Sequence, residues 1–160
     1  MTDLDRARNV AARYLGYAAR SAADIRRRLE RGHFDDGTIE AVIAEFRSRG
    51  WLDDAKFARD WIEDRSERKQ YGRARLAGEL TRRGIDRDTV DAAVEGIDSG
   101  DEVRRALAAA MPRYCRAGLS AGDQAGIERE YRRLAGFLQR RGFDWDIIKE
   151  VIRLITENNT

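Results

Sequence analysis

Covalent chemistry needs nucleophiles, proton carriers or metal ligands held together, and this sequence has few of them to hold. One histidine, His33, excludes any mechanism that needs two imidazoles. One cysteine, Cys115, excludes an intramolecular disulfide and a cysteine-rich zinc site. None of the five serines (21, 48, 66, 99 and 120) lies in a Gly-x-Ser-x-Gly setting, and there is no Gly-x-x-x-x-Gly-Lys phosphate loop. The adjacent Asp53 and Asp54 are the carboxylate pair best placed to hold a metal. They immediately precede the apolar-periodic Phe57, Trp61 and Ile62, where a helix needs an N-cap and negative charge in its first turn. Capping is the reading adopted, and no enzyme, metal or cofactor is expected.

What the chain has in quantity is guanidinium. Of its 31 basic residues all but Lys56, Lys69 and Lys149 are arginine, whose planar fork suits bidentate contact with phosphate or carboxylate. Net charge is only +2, yet charge is segregated along the chain. Residues 21–32, 65–83 and 128–141 carry +2, +5 and +3, while 34–46, 85–98 and 143–153 carry −4, −4 and −1. A single arginine on a helix reads as a solvated side chain with an acidic neighbour. Three basic stretches at equivalent places read as a surface for a polyanion or an acidic partner, with the salt dependence that implies. The candidate contacts are Arg26 and Arg27 in the first stretch and Arg132, Arg133 and Arg140 in the third. Between them lies the densest cluster, Arg65, Arg68, Lys69, Arg73, Arg75, Arg82 and Arg83, with Tyr71 and Gly72 at its loop. Reversing Arg73, Arg75 and Arg82 to Glu is expected to abolish the action of this surface while leaving helicity and melting unchanged. The tryptophans 51, 61 and 145 read as core rather than as platforms for stacked bases.

The elements that place these residues repeat. Ile25-x3-Leu29-x4-Phe34-Asp35, Leu76-x3-Leu80-x4-Ile85-Asp86 and Leu134-x3-Leu138-x4-Phe143-Asp144 share one spacing, at offsets of 51 and 58 residues. Each is followed by an i, i+3, i+4, i+7 apolar face: Ile39, Val42, Ile43, Phe46; Val90, Ala93, Val94, Ile97; and Ile148, Val151, Ile152, Ile155. Arg82-Arg83-Gly84 and Arg140-Arg141-Gly142 end helices with cations at the negative pole and a residue free to turn left-handed. In the first copy Gly32 comes one residue early and His33 takes the glycine slot, which makes His33 a helix-end residue. Asp86 and Asp144 stand at N-cap positions, and Ser21-Ala-Ala-Asp24 reads as a capping box. Each copy also has an upstream helix: about 3–19 with Val10, Tyr14, Tyr17 and Ala18; about 54–68; and about 101–115 with Val103, Leu107, Ala110, Met111 and Tyr114. No alternating strand pattern occurs. The expected fold is all-α, three tandem three-helix repeats of about nine helices in an elongated, curved row, with boundaries at 1–52, 53–98 and 99–160.

At 42% hydrophobic and 38% charged over 160 residues, the chain can bury a core and has much charged surface. Its longest apolar run, Ala106–Met111, is far short of the roughly 20 residues of a membrane span, and Met-Thr-Asp-Leu-Asp-Arg is no signal peptide. A soluble cytoplasmic monomer is expected.

Three segments carry a resemblance. They are Gly50-Trp-Leu-Asp-Asp-Ala-Lys-Phe-Ala58, Tyr71-Gly-Arg-Ala-Arg-Leu-Ala-Gly-Glu-Leu-Thr-Arg-Arg-Gly-Ile85 and Arg133-Leu-Ala-Gly-Phe-Leu-Gln-Arg-Arg-Gly-Phe-Asp-Trp-Asp-Ile-Ile148. With the weaker Ala22-Ala-Asp-Ile-Arg-Arg-Arg-Leu29, they resemble the RecX family of bacterial regulators of the RecA recombinase, over about residues 10–157. The stretch Met111–Gly122, with Pro112 and Cys115, matches no motif of that family. The resemblance implies three tandem three-helix repeats. It also implies a partner, the RecA filament with its single-stranded DNA, and an action: hindering filament growth and lowering ATP hydrolysis, strand exchange and co-protease activity. On this reading the protein lies in the filament groove, its basic second helices facing DNA phosphate or acidic RecA surface. The acidic third helices then lie away from the DNA or pair with basic patches on RecA. The alternative is a helix-turn-helix-like module that binds DNA without RecA. A carboxylate-metal nuclease is the third class.

Overall fold

The computed structural model describes residues 2–116 and 124–157, and every regular element among them is an α-helix. In chain order these are α1 (Asp3–Tyr17), α2 (Ala22–Glu30), α3 (Asp36–Ser48), α4 (Asp54–Lys69), α5 (Arg73–Arg82), α6 (Arg87–Glu95), α7 (Ser99–Arg116), α8 (Gln124–Arg140) and α9 (Trp145–Glu157). The all-α class and the sequence of three-helix repeats are as expected. The part of Met111–Gly122 beyond residue 116 lies outside the described residues. Its first six residues continue α7, with Pro112 inside the helix.

Side-chain oxygens start the helices where the sequence places them. Ser21 Oγ accepts from the Asp24 N–H at 3.1 Å while Asp24 accepts from the Ser21 N–H at 3.2 Å, the two halves of a capping box. Asp35 and Asp86 each accept the N–H of the threonine three residues on, at 2.9 Å, and its hydroxyl at 2.7 Å. Asp53 accepts from the Lys56 N–H at 2.8 Å; at Asp144 it is the backbone carbonyl that accepts, from the Ile148 N–H at 3.0 Å. The helix ends also follow the pattern: Gly84 and Gly142 have φ +84°, and His33 has φ +58° in the slot where the other copies have glycine.

The chain divides into two packed units, Met1–Trp61 with Leu80–Ala93 and Ile62–Glu79 with Val94–Thr160. In the first, α1, α2 and α3 pack around Ile25, Leu29, Ile39, Val42, Ile43 and Phe46, all buried. In the second, α7, α8 and α9 enclose Leu134, Leu138, Phe143, Ile148, Val151 and Ile155. The upstream helices differ from expectation in what they bury. Phe57 of α4 and Ala110 of α7 are buried as expected, and Val10, Tyr14, Val103, Leu107 and Tyr114 pack against the cores. The other fully buried apolar positions are alanines, Ala7 and Ala11 in α1, Ala58 in α4 and Ala106 in α7, whereas Tyr17 and Met111 are exposed. Small side chains let helix axes approach closely, and the longer apolar residues flank the contact.

Trp51 and Trp145 are likewise not core: they are 52% and 59% exposed. Trp51 follows the turn at Gly50 and rests edge-on against Phe46, with the Arg49 guanidinium 4.9 Å from its ring centroid. Trp145 opens α9 on its outer side. Trp61 is half-buried, 5.9 Å from the Phe57 ring centroid, with the Arg83 guanidinium 4.0 Å from its own.

Candidate nucleic-acid interface

The structure sorts the twelve candidate cations by what already holds them. Within the first unit, Arg26 of α2 reaches Glu40 of α3, so part of the charge segregation along the sequence is spent on pairing neighbouring helices. Arg27 pairs with Asp24 at 2.7 Å and donates to the Arg83 carbonyl at 3.1 Å. Arg83 lies 3.6 Å from the same carboxylate. Burial pushes the Asp24 carboxyl up, but the hydrogen bonds from Arg27 and the Ser21 N–H and the two guanidinium charges outweigh it and hold the group below its ordinary value. Ser21, Asp24, Arg27 and Arg83 therefore join the start of α2 to the end of α5.

The second unit repeats this joint. The N–H groups of Gly72 and Ala74 donate to the carbonyls of Arg141 and Gly142 at 2.8 and 3.0 Å, and Arg141 donates to the Lys69 carbonyl. Arg75 donates to the Arg140 carbonyl at 3.3 Å, lies 3.6 Å from Glu79, and stacks 4.1 Å from the Tyr71 ring. The donors at the start of α5 thus meet the orphan carbonyls at the end of α8, and the two helix dipoles meet head to tail. Arg73 is held in two ways: its N–H donates to Glu102 at 2.9 Å, and its guanidinium donates to the Ile97 carbonyl at 2.8 Å. Glu102 is 2% exposed. Arg65 lies 3.7 Å from Glu79, and Arg68 pairs with Asp64 at 2.7 Å.

These placements change one expectation. Arg73 and Arg75 belong to the packing of the second unit, and reversing them would set new carboxylates against Glu102 and Glu79. The triple reversal at 73, 75 and 82 therefore tests folding together with binding. Lys69, Arg82 and Arg140 have no carboxylate partner among the described residues, and Arg132 reaches only the Glu128 carbonyl one turn back, at 3.4 Å. Arg133 is 78% exposed although paired with Glu130 at 2.7 Å.

Arg132, Arg133 and Arg140 are brought together. With Arg113 of α7 they line a cleft of about 320 Å³ whose other walls are Glu130, Leu134, Gly136 and Phe137. Arg113 and Phe137 escaped the sequence reading: the guanidinium sits 4.0 Å from the ring centroid, a contact made only when α7 packs on α8. The stripe Arg132–Gly136–Arg140, one residue per turn, was visible in the i, i+4 spacing.

The carboxylate pair Asp53–Asp54 is consumed by helix starts. Asp53 caps its own helix, and Asp54 accepts the Ala22 N–H at the start of α2, at 2.9 Å, with Arg47 3.5 Å away. Among the described residues no three His, Cys, Asp or Glu side chains gather as metal ligands, and no helix is long and apolar enough to cross a membrane.

Three family models match in succession: "RecX, first three-helix domain" at residues 7–46, "RecX, second three-helix domain" at 53–94 and "RecX, third three-helix domain" at 126–152. A protein named Regulatory protein RecX from Thermobifida fusca (strain YX) is 36% identical over 148 residues, 92% of this chain and 77% of that protein. Its namesake from Prosthecochloris aestuarii is 32% identical over 157 residues, 98% of each. The crystal structure of RecX from Lactobacillus salivarius aligns with a TM-score of 0.86 over 96% of this chain and 97% of that one, and at 19% identity it bears on the fold alone. By three successive domain matches and by relatives that match more than nine-tenths of it, the chain belongs to the RecX family.

Proposed function

We propose that this chain is a non-catalytic regulator of the RecA recombinase. It binds the filament that RecA forms on single-stranded DNA and restrains its growth, ATP hydrolysis, strand exchange and co-protease activity. The observation that carries the reading is membership of a family of regulatory proteins along nearly the whole chain. The charged surface supports it. Cations without carboxylate partners among the described residues, Lys69, Arg82 and Arg140, project from the ends of α4, α5 and α8, where a filament's phosphate or acidic protein surface could take them up. Several modest contacts made by one chain add through effective concentration.

The test is the rate of RecA ATP hydrolysis on single-stranded DNA with this protein added at rising ratios. Inhibition well below one protein per RecA is expected, because a block on filament growth lets few molecules stop many. An unchanged rate at every ratio, with the protein folded, overturns the reading.

A further inference from the structure

We infer that the cleft between α7 and the outer face of α8 is a binding site for the sugar-phosphate backbone of a single nucleic-acid strand, made by Arg113, Arg132 and Arg140 around Gly136. The inference rests on the reading that nucleic acid is a partner and names the place and the chemistry of the contact. Four of the cleft's lining residues are arginine and one, Glu130, is acidic. Glu130 is occupied by Arg133, which leaves Arg113, Arg132 and Arg140 uncompensated by any carboxylate among the described residues. Three unneutralised guanidiniums around one concave space repel one another and are stabilised by an anion between them.

The shape argues for a strand. Arg132 and Arg140 stand two helical turns apart, roughly 12 Å along α8, with Gly136 midway. Among the described residues a Cβ on Gly136 would meet only the Arg140 guanidinium, at 3.3 Å, so the space above this glycine is open cleft and not a neighbour's backbone. A volume of about 320 Å³ admits a single sugar-phosphate chain, whereas an acidic helix, roughly 10–12 Å across, would have to stand off the floor. The aromatic residue speaks against base reading. Arg113 and Arg141 lie 4.0 and 4.9 Å from the Phe137 ring centroid, so cations already take up the ring. A strand bound here is held by phosphate and not by stacking, and binding is indifferent to base sequence.

The experiment needs no RecA, which separates its failure from that of the proposed function. Fluorescence anisotropy of a labelled 20-nucleotide oligo-dT is measured with the full-length protein, then with R132E/R140E. The control is R13E/R59E, which changes net charge equally at exposed positions outside the cleft. A loss of tenfold or more for the cleft variant and less than twofold for the control is expected. Gly136→Leu separates shape from charge: it fills the floor, removes no cation and suits the helix better, so affinity should fall while the melting temperature holds or rises. Equal losses in the two reversals, or full binding by Gly136→Leu, overturn the site. Displacement of the oligonucleotide by poly-glutamate at matched charge concentration would overturn the assignment to a strand.

Discussion

At the scale of single residues, glycines at the joints between repeats do different work from glycines at free turns. Gly142 has φ +84°, and a Cβ there would collide with the backbone of Arg75; a Cβ on Gly72 would collide with the carbonyl group of Gly142. In the first unit a Cβ on Gly84 would come within 2.6 Å of the Ala23 Cβ. Gly50, with φ +71°, has no described residue within 4 Å of its Cβ position. A non-glycine at positive φ costs on the order of 1 kcal/mol by itself, and a clash with backbone adds more. Gly72→Ala and Gly142→Ala should therefore destabilise by about 2–4 kcal/mol and Gly50→Ala by about 1 kcal/mol, read from urea midpoints at constant m. Equal effects at Gly50 and Gly142 would remove the close approach as the reason for the glycine. The same contrast accounts for His33. It holds φ +58° on exposed surface, in a slot where Gly84 and Gly142 face packed neighbours. The departure from glycine in the first copy is thus permitted by an undocked turn.

At the scale of helices, repeat spacing and capping chemistry were legible because both are local. The three apolar faces and the Asp35, Asp86 and Ser21 caps are all readable within a window of about two turns. The fates of the arginines were not, because a partner 32 or 65 residues away leaves no periodic trace. Asp54 reads as a first-turn charge of α4, and it is also the acceptor at the start of α2. Glu102 sits in the first turn of α7 and serves the start of α5 in the same way. A test of the caps follows from their protonation. Hydrogen bonds from the side chain and N–H of Thr38 hold Asp35 below its ordinary value, and those from the N–H and side chain of Thr89 do so for Asp86. Asp24 is held down by its arginine and serine partners against burial. A carboxyl whose folded value lies below the unfolded one stabilises fully above the unfolded value, about 3.9, and loses that contribution as pH falls through the folded value. The melting temperature should be flat from pH 7 to about 5 and fall steeply below about 4. The double variant Asp35→Asn, Asp86→Asn should start lower at pH 7 and lose part of the acid slope. An unaltered slope would mean that these caps do not set the acid limit.

At the scale of the whole molecule, the repeats visible in the sequence are not closed packing units. The helices of the middle repeat are divided: α4 belongs to one unit up to Trp61 and to the other from Ile62, and α5 changes from Glu79 to Leu80. A first repeat cut at residue 52 loses the Asp54 acceptor at the start of α2 and the Arg83 contacts with Asp24. A middle repeat of residues 53–98 loses Glu102, which holds Arg73, and the Arg141 and Gly142 carbonyls, which take up the N–H groups of Gly72 and Ala74. Fewer than 50 residues bury too little surface to offset chain entropy, and helices of 9 to 16 residues are marginal without tertiary support. The peptide 53–98 should therefore show little helix by far-UV circular dichroism and no cooperative melt, and it should not slow RecA ATP hydrolysis at any concentration. A cooperative helical melt from that peptide would mean that the middle repeat closes its own core and that its joints are dispensable. If instead the peptide is unfolded and the intact chain inhibits, regulation belongs to the joined repeats. Adding up three separate modules could not reproduce it, because each second helix with a repeat after it takes an acceptor from that repeat.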